Sequence, residues 1–277
     1  MMARVDSIPK LLKRYGLTPH KGLGQNFLTD PASLKKVVQA ADIQAQDTVL
    51  EIGPGLGSLT HLLAESASRV VAVELDSKLV MALEEILQPY DNVELMRADI
   101  LEVNLNELFS EGGYLVVANI PYYITSALIR QLLEAQYPPA RLVLTVQKEV
   151  AERICAPAGD LSLLALSVQV YGQPSITATI PASAFYPAPK IDSAVVRVDL
   201  FQEPLVQREK LETFFTLIRA GFSQKRKTLS NALSAGMHWE KTYTQNLLQN
   251  SGIDPKRRAQ TLSLDEWAKL VDSVWEK

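Results

Sequence analysis

Short runs rich in Val, Ile and Leu recur along the chain, and each is followed by a stretch whose apolar residues fall at helical spacing. Residues 48–52, 69–75, 93–99, 114–120 and 141–147 read as strands, and their near-continuous apolarity suits strands covered on both faces. Between them, residues 58–66, 77–87 and 125–135 read as helices. In the last of these, Leu128, Leu132 and Leu133 share one face. Ser77 and Thr125 stand where N-caps are expected. This alternation predicts an α/β domain, a parallel sheet with helices on both faces. From Lys148 the pattern changes: residues 148–156 read as a helix, and 175–180 and 194–200 as two antiparallel edge strands. Residues 201–204 read as a linker. Residues 209–222, 225–235, 239–249 and 264–275 then read as helices, with Gly221, Gly236 and Gly252 near their breaks. The expected division is an α/β domain over 1–203 and a small all-α domain over 204–277.

At 277 residues with 47% hydrophobic and 21% charged positions, the composition is that of a globular protein of one or two domains. No apolar run approaches the roughly 18 residues of a membrane span, and no signal-peptide core stands at the N-terminus; the first twenty residues read as an ordered or frayed arm. The single cysteine, Cys155, excludes an internal disulfide framework and any multi-cysteine metal site. It fits a reducing cytoplasm, and nothing in the sequence calls for a metal or more than a monomer.

Charge changes the picture once it is divided along the chain. The net charge is −3, yet residues 1–30 carry five Lys/Arg against two Asp, and residues 204–277 carry twelve basic against eight acidic residues. The middle is left with 11 basic and 21 acidic residues. An acidic body with basic ends suits a small cationic ligand in the body and a polyanion at the ends.

Residues 49–60 read VLEIGPGLGSLT, a strand running into Gly53, Gly55 and Gly57 before a helix. Glycine lets the backbone turn tightly and approach a ligand that a Cβ would push away. The loop alone suits a dinucleotide equally well. Glu74 closes the second strand, where a carboxylate takes the hydroxyls of an adenosine ribose, and Asp99 closes the third, within reach of an adenine amino group. Glu51 and the acidic middle favour S-adenosylmethionine, whose sulfonium and ammonium are cationic, over a pyrophosphate. The fourth strand ends in Asn119-Ile120-Pro121-Tyr122-Tyr123. An adenine N6 is a poor nucleophile because its lone pair is delocalised. Asn119 Oδ1 and a backbone carbonyl near Ile120–Pro121 can accept its two N–H groups, and Tyr122 can stack on the base. A proline turn with surface tyrosines is the plainer alternative.

With these residues in place, the chain resembles the ribosomal RNA adenine N6,N6-dimethyltransferase family of the KsgA type. The likeness rests on KGLGQNFLTD (21–30), IGPGLGSLT, NIPYY (Ile120 where the family more often has Leu), FYPAPKIDSAV (185–195), AGFSQKRKTLSNAL (220–233) and AQTLSLDEW (259–267). It implies a Rossmann-like class I methyltransferase sheet with a C-terminal helical domain, and S-adenosylmethionine as the cofactor. The cofactor would meet Gln25, Asn26, Leu28, Gly53, Gly55, Glu74, Asp99, Ile100 and Asn119. The catalytic set would be Asn119, Pro121, Tyr122 and Phe185, with the target adenine between Tyr122 and Phe185. The implied substrate is two adjacent adenosines in a hairpin of small-subunit rRNA, modified late in assembly. Lys225, Arg226 and Lys227, opening a helix, and Lys256, Arg257 and Arg258, on a turn, would hold RNA phosphates. A large-subunit adenine methylase of the macrolide-resistance type, and a non-catalytic assembly or transcription factor on the same fold, are the alternatives. FYPAPKIDSAV and the basic helical tail favour the first reading over the second; intact Asn119, Pro121 and Tyr122 argue against the third.

Overall fold

The computed structural model describes residues 7–121 and 124–275. The chain divides into two compact units, one of residues 1–151 and 175–200, the other of 152–174 and 201–277.

In the first unit, strands β2 (Thr48–Ile52), β3 (Arg69–Glu74), β4 (Val93–Arg97), β5 (Leu115–Asn119) and β6 (Arg141–Gln147) are joined by β9 (Ser193–Leu200) and by β7 (Gly172–Ile180), whose first three residues are counted with the second unit. The sheet order is β4-β3-β2-β5-β6-β9-β7. β2 pairs in parallel with both β3 and β5, and β9 runs antiparallel to β6. The order reverses between β2 and β5. At such a reversal the connections leave in opposite directions and open a crevice beyond the strands' carboxyl ends. Helices α2 (Pro31–Ala41), α3 (Thr60–Ala64), α4 (Ser77–Ile86), α5 (Leu105–Leu108) and α6 (Thr125–Leu133) belong to this unit. Val49, Leu63, Val70, Val117 and Val143 form its core with Leu34 and Val37 of α2. A short sheet of β1 (Phe27–Leu28) and β8 (Phe185–Tyr186) ties the N-terminal motif to the FYPAP segment, with Leu28 opposite Phe185.

The N-terminal arm is a helix, α1 (Ile8–Arg14), whose Ile8, Leu11 and Leu12 pack against Phe27, Leu56 and Leu79. α2 has a start signal that the strand-by-strand pattern does not reveal: Asp30 accepts from the Ser33 N–H (2.8 Å), and Pro31 opens the helix. The expected caps Ser77 and Thr125 shift by one residue. Asp76 caps α4 through the Lys78 N–H (3.0 Å), and Ile124 precedes α6 with no side-chain cap.

The second unit holds α8 (Leu163–Gln169), α9 (Leu211–Phe222), α10 (Leu229–Met237), α11 (Lys241–Asn250) and α12 (Leu264–Trp275), while α7 (Lys148–Ile154) runs across the division. This differs from the boundary expected at 203/204. Residues 152–174 go with the helices because α8 packs on α9 and the Leu161 N–H reaches the Gln260 carbonyl (3.1 Å). Gly221 and Gly236 are each the last residue but one of α9 and α10, near the breaks as expected. A Cβ at Gly221 would stand 2.6 Å from the Trp267 ring, and one at Gly236 2.7 Å from Ala220 Cβ. Both let helices approach closely. Of the three, only Gly252, at φ +73°, follows the end of a helix.

Candidate active site

The carboxyl ends of β2, β3 and β5 open onto one cleft of about 190 Å³, lined by Gln25, Asn26, Gly53, Gly55, Glu74, Asp99, Ile100, Asn119 and Pro121 among others. That volume has room for an organic ligand rather than one or two waters.

Each wall follows from local chemistry. The Gly53 N–H donates to the Val73 carbonyl (3.0 Å), and its φ of +69° turns the chain out of β2. A Cβ there would meet nothing closer than the Asn119 carbonyl at 3.9 Å, so it would stand in open cleft. Glu74, 6% exposed, accepts the Gly55 N–H (3.2 Å) on one oxygen and the Asp76 N–H (2.9 Å) on the other. Burial raises its pKa above the usual carboxylate range, and these backbone donors oppose the rise. Asp99 accepts the Leu101 N–H (2.9 Å) on Oδ1; among the described residues none donates to its Oδ2. Asn119 donates through Nδ2 to the Asn26 carbonyl (3.0 Å); among the described residues none donates to its Oδ1. The Pro121 carbonyl accepts the Ile124 N–H (3.2 Å), whereas among the described residues no N–H donates to the Ile120 carbonyl.

Gln25 spends both ends of its amide inside the protein. Its Oε1 accepts the His20 N–H (2.7 Å) and its Nε2 donates to Asp76 (2.9 Å), so it braces the N-terminal segment across the cleft.

The ribosomal RNA adenine dimethylase family model matches residues 16–274 of this chain. The chain belongs to that family. Ribosomal RNA small subunit methyltransferase A of Dehalococcoides mccartyi (strain CBDB1) is 48% identical over 262 residues, 94% of this chain and 90% of that protein. The protein of the same name from Alkaliphilus oremlandii is 39% identical over the whole of both chains. Among solved structures, a dimethyladenosine transferase from Plasmodium falciparum superposes with a TM-score of 0.79 at 27% identity, covering 90% of this chain and 98% of that one. The 23S rRNA methyltransferase ErmE superposes at 0.73 and 26% identity, over 90% of this chain and 99% of that one.

Not every expected residue of this adenine dimethylase family member reaches the cleft. Leu28 is 5% exposed and lines a small chamber beside it, with Glu51 and Pro54. Phe185 is 4% exposed and packs in the core with Leu28, Leu34 and Val37, so its ring does not line the cleft. The spacing before YPAP locates the segment, but the pairing of β8 with β1 decides that this ring faces inward. Tyr122 lies outside the described residues. In the second unit, Lys225–Lys227 lie in a turn before α10, which starts at Leu229, so they do not open the helix. The Leu229 and Ser230 N–H groups donate to the carbonyls of Arg257 (2.6 Å) and Pro255 (3.2 Å), which sets the two basic turns side by side. Lys225, Arg226, Lys227, Lys256 and Arg258 are exposed, whereas Arg257 is bound to Glu266 and the Thr261 carbonyl.

Motif reasoning does not find the apolar walls of the cleft, Leu23, Leu75, Leu79, Leu101 and Ile124. A signal is available for two of them. Leu75 follows Glu74, which ends β3, by one residue, and Leu101 follows Asp99, two residues past the end of β4, by two; at 45% and 38% they are unusually exposed leucines.

Proposed function

We propose that this protein transfers methyl groups from S-adenosylmethionine to N6 of two adjacent adenosines in a hairpin loop of small-subunit ribosomal RNA, late in subunit assembly, leaving S-adenosylhomocysteine. The observation that carries this reading is the convergence of the glycine loop, two strand-end acids and Asn119 on one cleft at the sheet's reversal point.

The residues fit such a cofactor. Gly53 leaves the space that a Cβ would fill, Glu74 suits a ribose, and Glu51 has a buried oxygen without a partner among the described residues. Asp99 Oδ2 suits the adenine amino group, with Leu75, Ile100 and Leu101 along the base's faces. Gln25, Asn26 and Leu28 then act by closing the N-terminal side, Gln25 through its brace to Asp76. The cofactor supplies an electrophilic methyl on a sulfonium. The protein's part is to hold N6 in line with it. Asn119 Oδ1 and the Ile120 carbonyl accept the two N6–H groups, which favours a pyramidal nitrogen as positive charge develops. Pro121 fixes the backbone that presents that carbonyl, and Tyr122 stacks on the base. Phe185 serves by anchoring β1 rather than by stacking. No strong base is needed, because the N–H becomes acidic once the nitrogen is alkylated. Positioning of this kind is worth up to ~7–11 kcal/mol, with fixed dipoles adding to it.

In this reading the two basic turns at the start of α10 hold RNA phosphates, with Arg257 supporting the turn instead of contacting RNA. The protein works as a cytoplasmic monomer. The test is incubation with tritiated S-adenosylmethionine and undermodified small subunits, followed by nucleoside digestion. Label is expected in dimethyladenosine. Asn119→Ala should abolish turnover while RNA affinity stays near wild type, and near-normal dimethylation by that variant would refute the N6 account. Label confined to large-subunit RNA would redirect the reading to a methylase of that subunit, and cofactor binding without turnover to a non-catalytic factor.

A further inference from the structure

We infer that Glu51 enters the binding equilibrium as an acid: the chamber beside the cleft takes the ligand's ammonium group, and the Glu51 carboxyl releases its proton to solvent as that group arrives. This rests on the cofactor reading above and adds a step to it.

Glu51 lies in β2, two residues before Gly53, and is 2% exposed. Its Oε2 has no hydrogen-bond partner among the described residues. It lines a chamber of about 30 Å³ that shares Phe27, Gly53, Gly55 and Asn119 with the main cleft. A buried carboxylate with an unmet oxygen is costly when ionised, so it stays neutral until a cation joins it. Among the described residues no neighbour supplies that cation. From β3 comes a second carboxylate, Glu74, whose charge opposes ionisation further. From α3 comes Thr60, whose uncharged hydroxyl favours the carboxylate and offsets part of the effect of burial, while the His61 ring is held at the Gly57 carbonyl (2.9 Å). β5 contributes only Asn119, and β1 and α2 contribute Phe27, Leu28 and Leu34. The chamber's lining contains no Lys, Arg or His. Burial pushes the Glu51 pKa up to about 8, so near neutrality the empty site holds the proton. An ammonium at hydrogen-bond distance reverses the balance. The neutral acid becomes a carboxylate paired with R–NH₃⁺, and one H⁺ leaves to buffer.

The test is calorimetry of the full chain with S-adenosylhomocysteine at about pH 7, in two buffers of different ionisation enthalpy, whose difference counts protons. Release approaching one proton per ligand is expected, with affinity rising toward tenfold per pH unit below about pH 7.5. The comparison ligand is 5′-methylthioadenosine, which lacks the amino-acid portion and should release none. Glu51→Gln, which cannot ionise, should lose the proton release with S-adenosylhomocysteine. Tight S-adenosylhomocysteine binding without proton release overturns this inference alone. Equal release with both ligands, or release that persists in Glu51→Gln, also overturns it. If S-adenosylhomocysteine does not bind at all, the cofactor reading falls and this inference falls with it.

Discussion

Replacing Gly55 by alanine tests how tightly the glycine loop is built against the N-terminal motif. Gly55 has φ +65°, and an added Cβ would lie 2.8 Å from Phe27 Cδ1 and 3.0 Å from Cε1. An L residue held in the left-handed region costs roughly 1–2 kcal/mol. The clash adds to this. The Phe27 ring is 7% exposed, packed among Ile8, Leu11, Leu56 and Leu79, and its backbone is paired to Tyr186. It cannot swing away into solvent, and overpacking of this kind costs about 1–3 kcal/mol. The two effects sum to about 2–5 kcal/mol, a large share of the roughly 5–15 kcal/mol that holds a typical domain together. The control is Gly113→Ala, where φ is +72° but nothing lies within 4 Å of the new Cβ, so that only the backbone cost applies. Urea unfolding of both variants should place Gly55→Ala below Gly113→Ala in stability. S-adenosylhomocysteine affinity should fall at least tenfold in Gly55→Ala alone, since the shifted loop also carries the N–H that meets Glu74. Phe27→Leu should restore part of the stability in the Gly55→Ala background while destabilising the wild type. If the two alanine variants unfold together, the steric reasoning is wrong.

Further outcomes follow from the same geometry. Glu51 has a folded-state pKa of about 8, above its ordinary value of 4.5, so the unfolded chain sheds this proton first. Its contribution to stability therefore falls as pH rises between those values. The difference in urea stability between wild type and Glu51→Gln, measured without ligand, should shift toward the variant across that window. A flat difference would show that Glu51 ionises freely. Neutralising Lys225, Arg226, Lys227, Lys256 or Arg258 should each lower the salt slope of RNA binding by roughly 0.7 for every phosphate that the side chain neutralises. Arg257→Ala should instead lower the thermal midpoint, because its guanidinium holds Glu266; filter binding across a salt series separates the two classes. Gly221→Ala gains about 1 kcal/mol of helix propensity but drives a Cβ to 2.6 Å from the fully buried Trp267. Overpacking should win by about 1 kcal/mol, seen as a lower urea midpoint; a stabilised variant would contradict it.

Much of the fold is legible in the sequence because burial leaves a local imprint. Strands covered on both faces must be apolar throughout, so β2, β3, β5 and β6 announce themselves, and the acids at the strand ends stand out against that background. The elements that escape such a reading are those whose signal is short or uniform. α8 reads LLALSVQ, nearly apolar all round, and offers no period to separate helix from strand. α2 carries its signal in the Asp30–Pro31 cap, outside the glycine-loop pattern that dominates this part of the chain.

The sequence by itself determined which chemistry the chain can hold: glycines at a strand's exit, acids at the next two strand ends, and an amide before a proline. These are local requirements, set by backbone conformation and by the i, i+1 and i+2 neighbours, and so they appear as motifs. The tertiary structure decided which of those groups line one cleft. Phe185 looked like a stacking ring until β8 paired with β1 and turned it into the core. Gln25 lines the cleft as expected, and only the fold shows that Asp76 and His20, distant and near in sequence, fix the orientation of its amide. The two basic runs became neighbours only because the N-terminus of α10 needs carbonyls for its first N–H groups and finds them at residues 255 and 257. Contacts between distant segments depend on pairing register and packing, and a single chain of letters carries neither.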